Sequence, residues 1–203
     1  MKRRLRITAF ALALIAGWVM PAAGDSGGRP CKWTAAAAPT VGGITPETSR
    51  EQVKALFGAE NVETFQIPVG EGMTVEGTRV YSGTPNELHI EWKDAGTPER
   101  LTISGKGTDW QTPVGITVGT SLETVEKING GAFRITGFGW DYAGRTVSWE
   151  GGRLPDQLQL AFEPTHTMSA EKEQEVTGDQ RLSSDHPVIR KKGLKVETIF
   201  IRW

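Results

Sequence analysis

The chain cannot staple itself. Cys31 is its only cysteine, so no internal disulfide forms, and the fold rests on burial and hydrogen bonding even in an oxidising compartment. Histidine is nearly as scarce: His89, His166 and His186 are all there is, and none stands in an H-E-x-x-H or comparable ligand spacing. His89 falls on the polar side of an alternating segment, as a solvent-facing strand residue would. No G-x-x-x-x-G-K-[ST] loop occurs among the 25 glycines, and C-x-x-C does not appear. Ser183-Ser184-Asp185-His186 holds the residue types of a triad, but triads converge in space rather than along a tetrapeptide. Glu171, Glu173 and Glu175 crowd one stretch, as a charged helix face does. These absences leave no catalytic residue, no metal ligand and no cofactor to assign.

Long apolar runs are missing too, with one exception at the start. Lys2, Arg3, Arg4 and Arg6 precede an uncharged, mostly apolar run from Ile7 to Met20. That run is shorter than the ~20 residues a spanning helix needs. Pro21 and the small residues Ala22-Ala23-Gly24 follow, so residues 1–24 read as a signal peptide cleaved after Gly24. The protein is expected to be exported, periplasmic or extracellular, with no transmembrane span once the signal is removed. Arg29-Pro30 ahead of Cys31 is a poor match to a lipidation site, which favours a free or intermolecularly paired thiol over a lipidated one. Removing the signal takes four basic residues and no acidic one from a chain of net charge -1. The remainder is clearly acidic, which argues against nucleic acid or anionic lipid as the main partner.

What is present is a repeat. Gly43-Ile44-Thr45-x-x-Thr48-Ser49-x-Glu51-x-Val53, closing at Gly58, recurs as Gly115-Ile116-Thr117-x-x-Thr120-Ser121-x-Glu123-x-Val125, closing at Gly130. Thr48-x-x-Glu51 and Thr120-x-x-Glu123 predict capping boxes opening helices over 49–57 and 121–129. Val53, Leu56 and Phe57 form one apolar stripe, and Leu122, Val125 and Ile128 the other. Gly58 and Gly130 stand where a left-handed cap ends a helix. Farther on, Pro85-x-x-Leu88-x-Ile90-x-Trp92 is echoed by Pro155-x-x-Leu158-x-Leu160-x-Phe162.

Alternation predicts strands over 78–81, 88–92, 101–103, 158–162 and 196–203. A hairpin over 133–142 and 146–149 is expected to turn at Ala143-Gly144. The last strand is apolar on both faces and expects cover on both. The predicted organisation is a linker over 25–42, one repeat unit over 43–112 and a second over 113–203. The second unit carries a long polar insertion, 163–195. There a short helix over 170–176 capped by Ser169 is expected, anchored by Leu182, Pro187, Val188 and Ile189.

On the expected hairpin, Phe138, Trp140 and Tyr142 would share one strand face, with Trp149 across the turn and Asp141 and Arg145 at the rim. Core packing accounts for such rings, and so does an aromatic platform for a partner. Phe138, Trp140, Asp141, Tyr142 and Trp149 are therefore the candidate binding residues.

A capped helix of the form Gly-Ile-Thr-x-x-Thr-Ser-x-Glu-x-Val, followed by antiparallel strands and used twice, resembles the tandem helix-plus-sheet repeats of the beta-lactamase inhibitory protein. Each unit is similar to the small lipoproteins of the barrel-assembly machinery. The resemblance implies an α+β fold of two tandem units, whose sheets are free to join into one curved sheet with a protein-binding face. It assigns no functional residue. The expected role is an exported, non-catalytic binding protein of the bacterial cell envelope with a protein partner. The competing classes are an envelope hydrolase with a site in 163–195 built on His166 or His186, and a purely structural envelope protein.

Overall fold

The computed structural model describes residues 32–34, 37–94 and 96–203, and of residues 32–40 the backbone alone. The signal segment, Cys31 and the side chain of Trp33 lie outside the described residues. Within the expected linker, β1 (Lys32–Thr34) and β2 (Ala37–Thr40) pair antiparallel.

Both halves of the repeat fold alike locally. α1 spans Arg50–Phe57 and α2 spans Leu122–Asn129. Ahead of each, two threonines lock a tight turn in both directions. Thr45 N donates to Thr48 Oγ1 at 2.8 Å while Thr48 N donates to Thr45 O. Thr117 N donates to Thr120 Oγ1 at 2.9 Å while Thr120 N donates to Thr117 O. The threonines are thus occupied, and the caps lie one residue later than expected. Ser49 forms a full capping box with Gln52, and Ser121 accepts from Thr124 N. Ile44, Val53, Ile116 and Val125 are wholly inaccessible; burying each contributes about 1.5–3 kcal/mol. Leu56, expected in the α1 stripe, is exposed instead. Gly58 and Gly130 end the helices at positive φ (86° and 90°).

A six-stranded antiparallel sheet carries the fold. Its strands are β3 (Val62–Gly70), β4 (Met73–Val80), β5 (Leu88–Trp92), β6 (Pro98–Ile103), β9 (Leu158–Pro164) and β11 (Leu194–Arg202). They lie in the order β3-β4-β5-β6-β11-β9. A smaller sheet sets β10 (Arg181–Ser183), β7 (Arg134–Thr136) and β8 (Thr146–Ser148) side by side in that order. An isolated Arg145–Ala161 bridge ties the end of β8 to β9. With helices and antiparallel sheets together, the protein is α+β. The strand runs that follow the two helices meet at the β6–β11 pairing, where Ile103 faces Ile199 and Leu101 faces Ile201.

Period two then sorts the sheet into faces. Leu88, Ile90, Leu101, Ile103, Leu158, Leu160, Ile199 and Ile201 point into one core shared with α1, α2 and Trp110. Trp110 packs edge-on against Phe57 of the first helix, with ring centroids 6.4 Å apart. The opposite face carries His89 and Glu91 of β5, Arg100 and Thr102 of β6, and Phe200 and Arg202 of β11, as their cross-strand pairing requires. His89 is only half-buried there, with Nε2 2.6 Å from Glu87 Oε1 and its ring 4.6 Å from that of Phe65.

The insertion is folded and anchored. α3 spans Ala170–Glu175 and α4 spans Pro187–Lys192, with β10 between them. Leu182, Val188 and Ile189 are buried, as the pattern predicted, whereas Pro187 is exposed. Ser169 stands at the N-cap of α3 without a side-chain bond; Glu173 takes the N–H of Met168 instead. Lys192, 2% exposed, reaches Glu173 and lies over the Phe138 ring.

The expected long hairpin is shorter than its pattern. β7 stops at Thr136, and 137–144 is a loop. The alternation of Phe138, Trp140 and Tyr142 therefore does not place them on one strand face. Gly137 marks the break: a Cβ there would stand 2.4 Å from the Gly178 carbonyl oxygen, so the insertion backbone occupies the place of a side chain at 137.

Candidate functional site

Two projections frame the open sheet face. One is the β3–β4 hairpin tip, where Glu71 (φ 51°) and Gly72 (φ 73°), both at positive φ, are the central residues of a tight turn closed by the Gly70–Met73 pair. The other is the 137–144 loop. Thr136 clips that loop at both ends: its Oγ1 donates to the Tyr142 carbonyl and accepts from Arg145 N at 2.9 Å. The Trp140 indole N–H closes the loop internally, 3.1 Å from Gly137 O. The projections approach one another where the Tyr142 hydroxyl lies 3.7 Å from the position of a Cβ on Gly70.

Beneath them is a cleft of about 520 Å³ lined by Pro68, Val69 and Gly70, by Glu91, Arg100 and Arg202, and by Asp141, Tyr142 and Arg145. Its volume falls in the range of ligand-binding clefts. Three of its residues are arginines brought together by register and by one bridge. Arg100 and Arg202 are cross-strand partners, and Arg145 joins them through the pairing with Ala161. Glu91, opposite Arg100 on β5, engages it through both Nε and Nη2. Arg145 lies over two rings, 4.6 Å from the Phe200 centroid and 5.0 Å from that of Tyr142. Arg100 lies 5.7 Å from the Phe200 centroid. Guanidinium groups thus provide the cover that the apolar cleft-side residue of β11 requires, and Phe200 is buried beneath them.

The charges do not balance locally. Among the described residues no carboxylate lies within 4 Å of the Arg145 or Arg202 guanidinium. Burial pulls the Arg145 pKa below its usual value and Arg100 lowers it further; Tyr142 opposes them, with lesser effects from Arg202, which lowers it, and Glu91, which raises it. Arg145 nonetheless stays charged, as arginines do.

The five candidate binding residues divide. Trp140 and Tyr142 are 38% and 46% exposed with rings in edge contact, and Asp141 is exposed between them at the cleft rim. Phe138 and Trp149 are 7% and 4% exposed and belong to the core. Trp149 donates from its indole to the Pro155 and Leu158 carbonyls, and Phe138 is held under Lys192. His166 and His186 sit at opposite ends of α4. His186 accepts from Val188 N as the cap, and His166 Nδ1 lies 3.3 Å from the Lys192 carbonyl oxygen. Among the described residues, no group of three or more His, Cys, Asp or Glu side chains lies close enough to hold a metal ion. Nor is any helix there long and apolar enough to cross a membrane.

Sequence reasoning placed Arg145 at a rim but missed Arg100, Arg202 and Glu91, as well as β3 and the first half of β4. The Gly70-Glu71-Gly72 turn was the available signal for the hairpin. For the arginines, the signal was the polar half of the alternation in β6 and β11. Comparison with known proteins found no matching family model, no matching curated protein and no matching solved structure.

Proposed function

We propose that this protein is an exported, non-catalytic binding protein of the bacterial cell envelope, built from two tandem helix-plus-sheet units, that docks a partner protein on the open face of its sheet. One observation carries the reading. Of the four aromatic candidates, Trp140 and Tyr142 reach solvent and stand on a braced loop beside a cleft with a surplus of arginine. Exposed Trp, Tyr and Arg around a concavity are the residue types that dominate protein interfaces. Support for tandem units comes from the matching threonine turns and caps, and from strand runs that meet at β6 and β11. Export rests on the basic and apolar start of the chain. The hydrolase reading gains nothing from His166 and His186, whose ring nitrogens meet the ends of α4.

The test is capture of envelope proteins by the wild-type chain and by Trp140→Ala and Tyr142→Ala variants. A partner retained by wild type and lost by both supports the reading. Equal recovery by all three removes the loop from it.

A further inference from the structure

The binding reading leaves the chemistry of the partner open, and the cleft narrows it. Arg100 and Arg202 face each other directly across β6 and β11, an arrangement that like charges disfavour. Among the described residues, Glu91 makes its ion pair with Arg100 and none with Arg145 or Arg202. Arg145 is half-buried, lies on the Phe200 and Tyr142 rings, and is repelled by both other arginines. A partly desolvated guanidinium without a counter-charge keeps its bidentate donor edge free for an anion.

The wall beside this basic floor is apolar. Val75 pairs with Ile67, and Val75 and Met73 alternate onto the face shared with Glu91; both are substantially exposed. Val69 reaches the cleft itself. A free inorganic anion would use the arginines and leave this wall in water. A polypeptide carrying acidic side chains among apolar ones would use both.

Resting on the binding function above, we propose that the cleft recognises an acidic, partly apolar segment of the partner protein, with a carboxylate held between Arg145 and Arg202 and apolar neighbours against the β3–β4 hairpin. Glu91 holds Arg100 in place, and the Phe200 ring supports both Arg100 and Arg145 from below.

The probe is an N-acetylated, C-amidated peptide of alternating glutamate and leucine, titrated into the full chain and followed by tryptophan fluorescence. The glutamine–leucine peptide and inorganic phosphate are run beside it. The acidic peptide binds, and its affinity falls as salt rises. Arg145→Gln and Arg202→Gln each weaken it about tenfold or more, the loss of one charge-assisted contact. Lys106→Gln removes the same charge outside the cleft and leaves binding unchanged. Arg202 is exposed on the last strand, so its variant reports on the site even where Arg145→Gln disturbs packing.

Absence of binding, binding by both arginine variants as tight as that of wild type, or binding of the glutamine peptide as tight as that of the acidic one overturns the proposal. Phosphate binding as tight as the peptide's overturns it in favour of a small-anion site. Partner capture that survives Arg145→Gln and Arg202→Gln but not Trp140→Ala leaves the binding function standing and removes the carboxylate.

Discussion

Ser184 Oγ donates a 2.5 Å hydrogen bond to Glu126 Oε1, and through it the insertion is fastened to the second helix. Ser184 also accepts from Phe133 N at 3.0 Å, and Arg190 of α4 closes on the other Glu126 oxygen. One nearly buried carboxylate therefore holds α2, the start of β7, the end of β10 and α4 together. An insertion tied in this way is part of the domain, which explains why its apolar anchors share the central core.

Glu126→Ala is expected to cost roughly 2–3 kcal/mol, because it strands the Ser184 hydroxyl and removes the near partner of Arg190. Glu123, 3.9 Å from Arg190 and substantially exposed, is the comparison. Its alanine variant should change stability by less than about 1 kcal/mol. Urea unfolding reads both; equal losses would mean that the buried carboxylate fastens nothing.

The second contact predicts a pH dependence. The Lys192 hydrogen bond, partly opposed by burial, holds the Glu173 carboxyl below the ordinary glutamate value of 4.5. A depressed folded pKa gives stability that is fully present above the unfolded value and lost as pH falls through the folded one. Wild type should therefore lose this increment below about pH 4.5, while Lys192→Met, which keeps the stem over Phe138, should lack that part of the acid dependence. Unfolding midpoints at pH 7, 4.5 and 3 check this; identical slopes in the two proteins would refute the coupling.

The helix ends give a third expectation. Gly130 adopts φ 90°, ψ 8°, a left-handed cap that alanine tolerates at about 1 kcal/mol. Gly58 adopts φ 86°, ψ 132°, outside that basin, and a Cβ there would also meet the Glu60 carboxylate at 2.4 Å. Gly58→Ala should therefore lower the thermal midpoint more than Gly130→Ala, although the two glycines occupy matching places in the repeat.

The repeat made both helices and their ends legible because capping and burial act within a dozen residues. The caps slipped by one residue for a local reason: Thr48 and Thr120 spend their hydroxyls backwards on Thr45 and Thr117, which leaves Ser49 and Ser121 to meet the helix. The aromatic face was misread because alternation describes an unbroken strand, and Gly137 ends β7 against Gly178, a residue of the insertion. The cleft was illegible for a longer-range reason. Arg100 lies within β6, Arg145 just ahead of β8 and Arg202 at the end of β11, and the β6–β11 register and the Arg145–Ala161 bridge bring them together.

Gly77 sets the apolar wall of that cleft, and this gives the last prediction. It sits on β4 opposite Phe65 and Glu91. A Cβ there would fall 2.2 Å from Ile67 Cδ1 and 2.8 Å from the Ile90 carbonyl oxygen. The absent side chain is thus the space into which Ile67 folds to become buried. Gly77→Ala must push Ile67 outward or shift β5, a cost of about 1–3 kcal/mol. The two causes separate by a double-mutant cycle. If Ile67 is the obstacle, Ile67→Ala should cost much less in the Gly77→Ala background than in wild type. If the Ile90 carbonyl is, the two costs should add. Urea unfolding of the four proteins decides, and strict additivity would show that the backbone contact, and not the Ile67 side chain, requires glycine at this position.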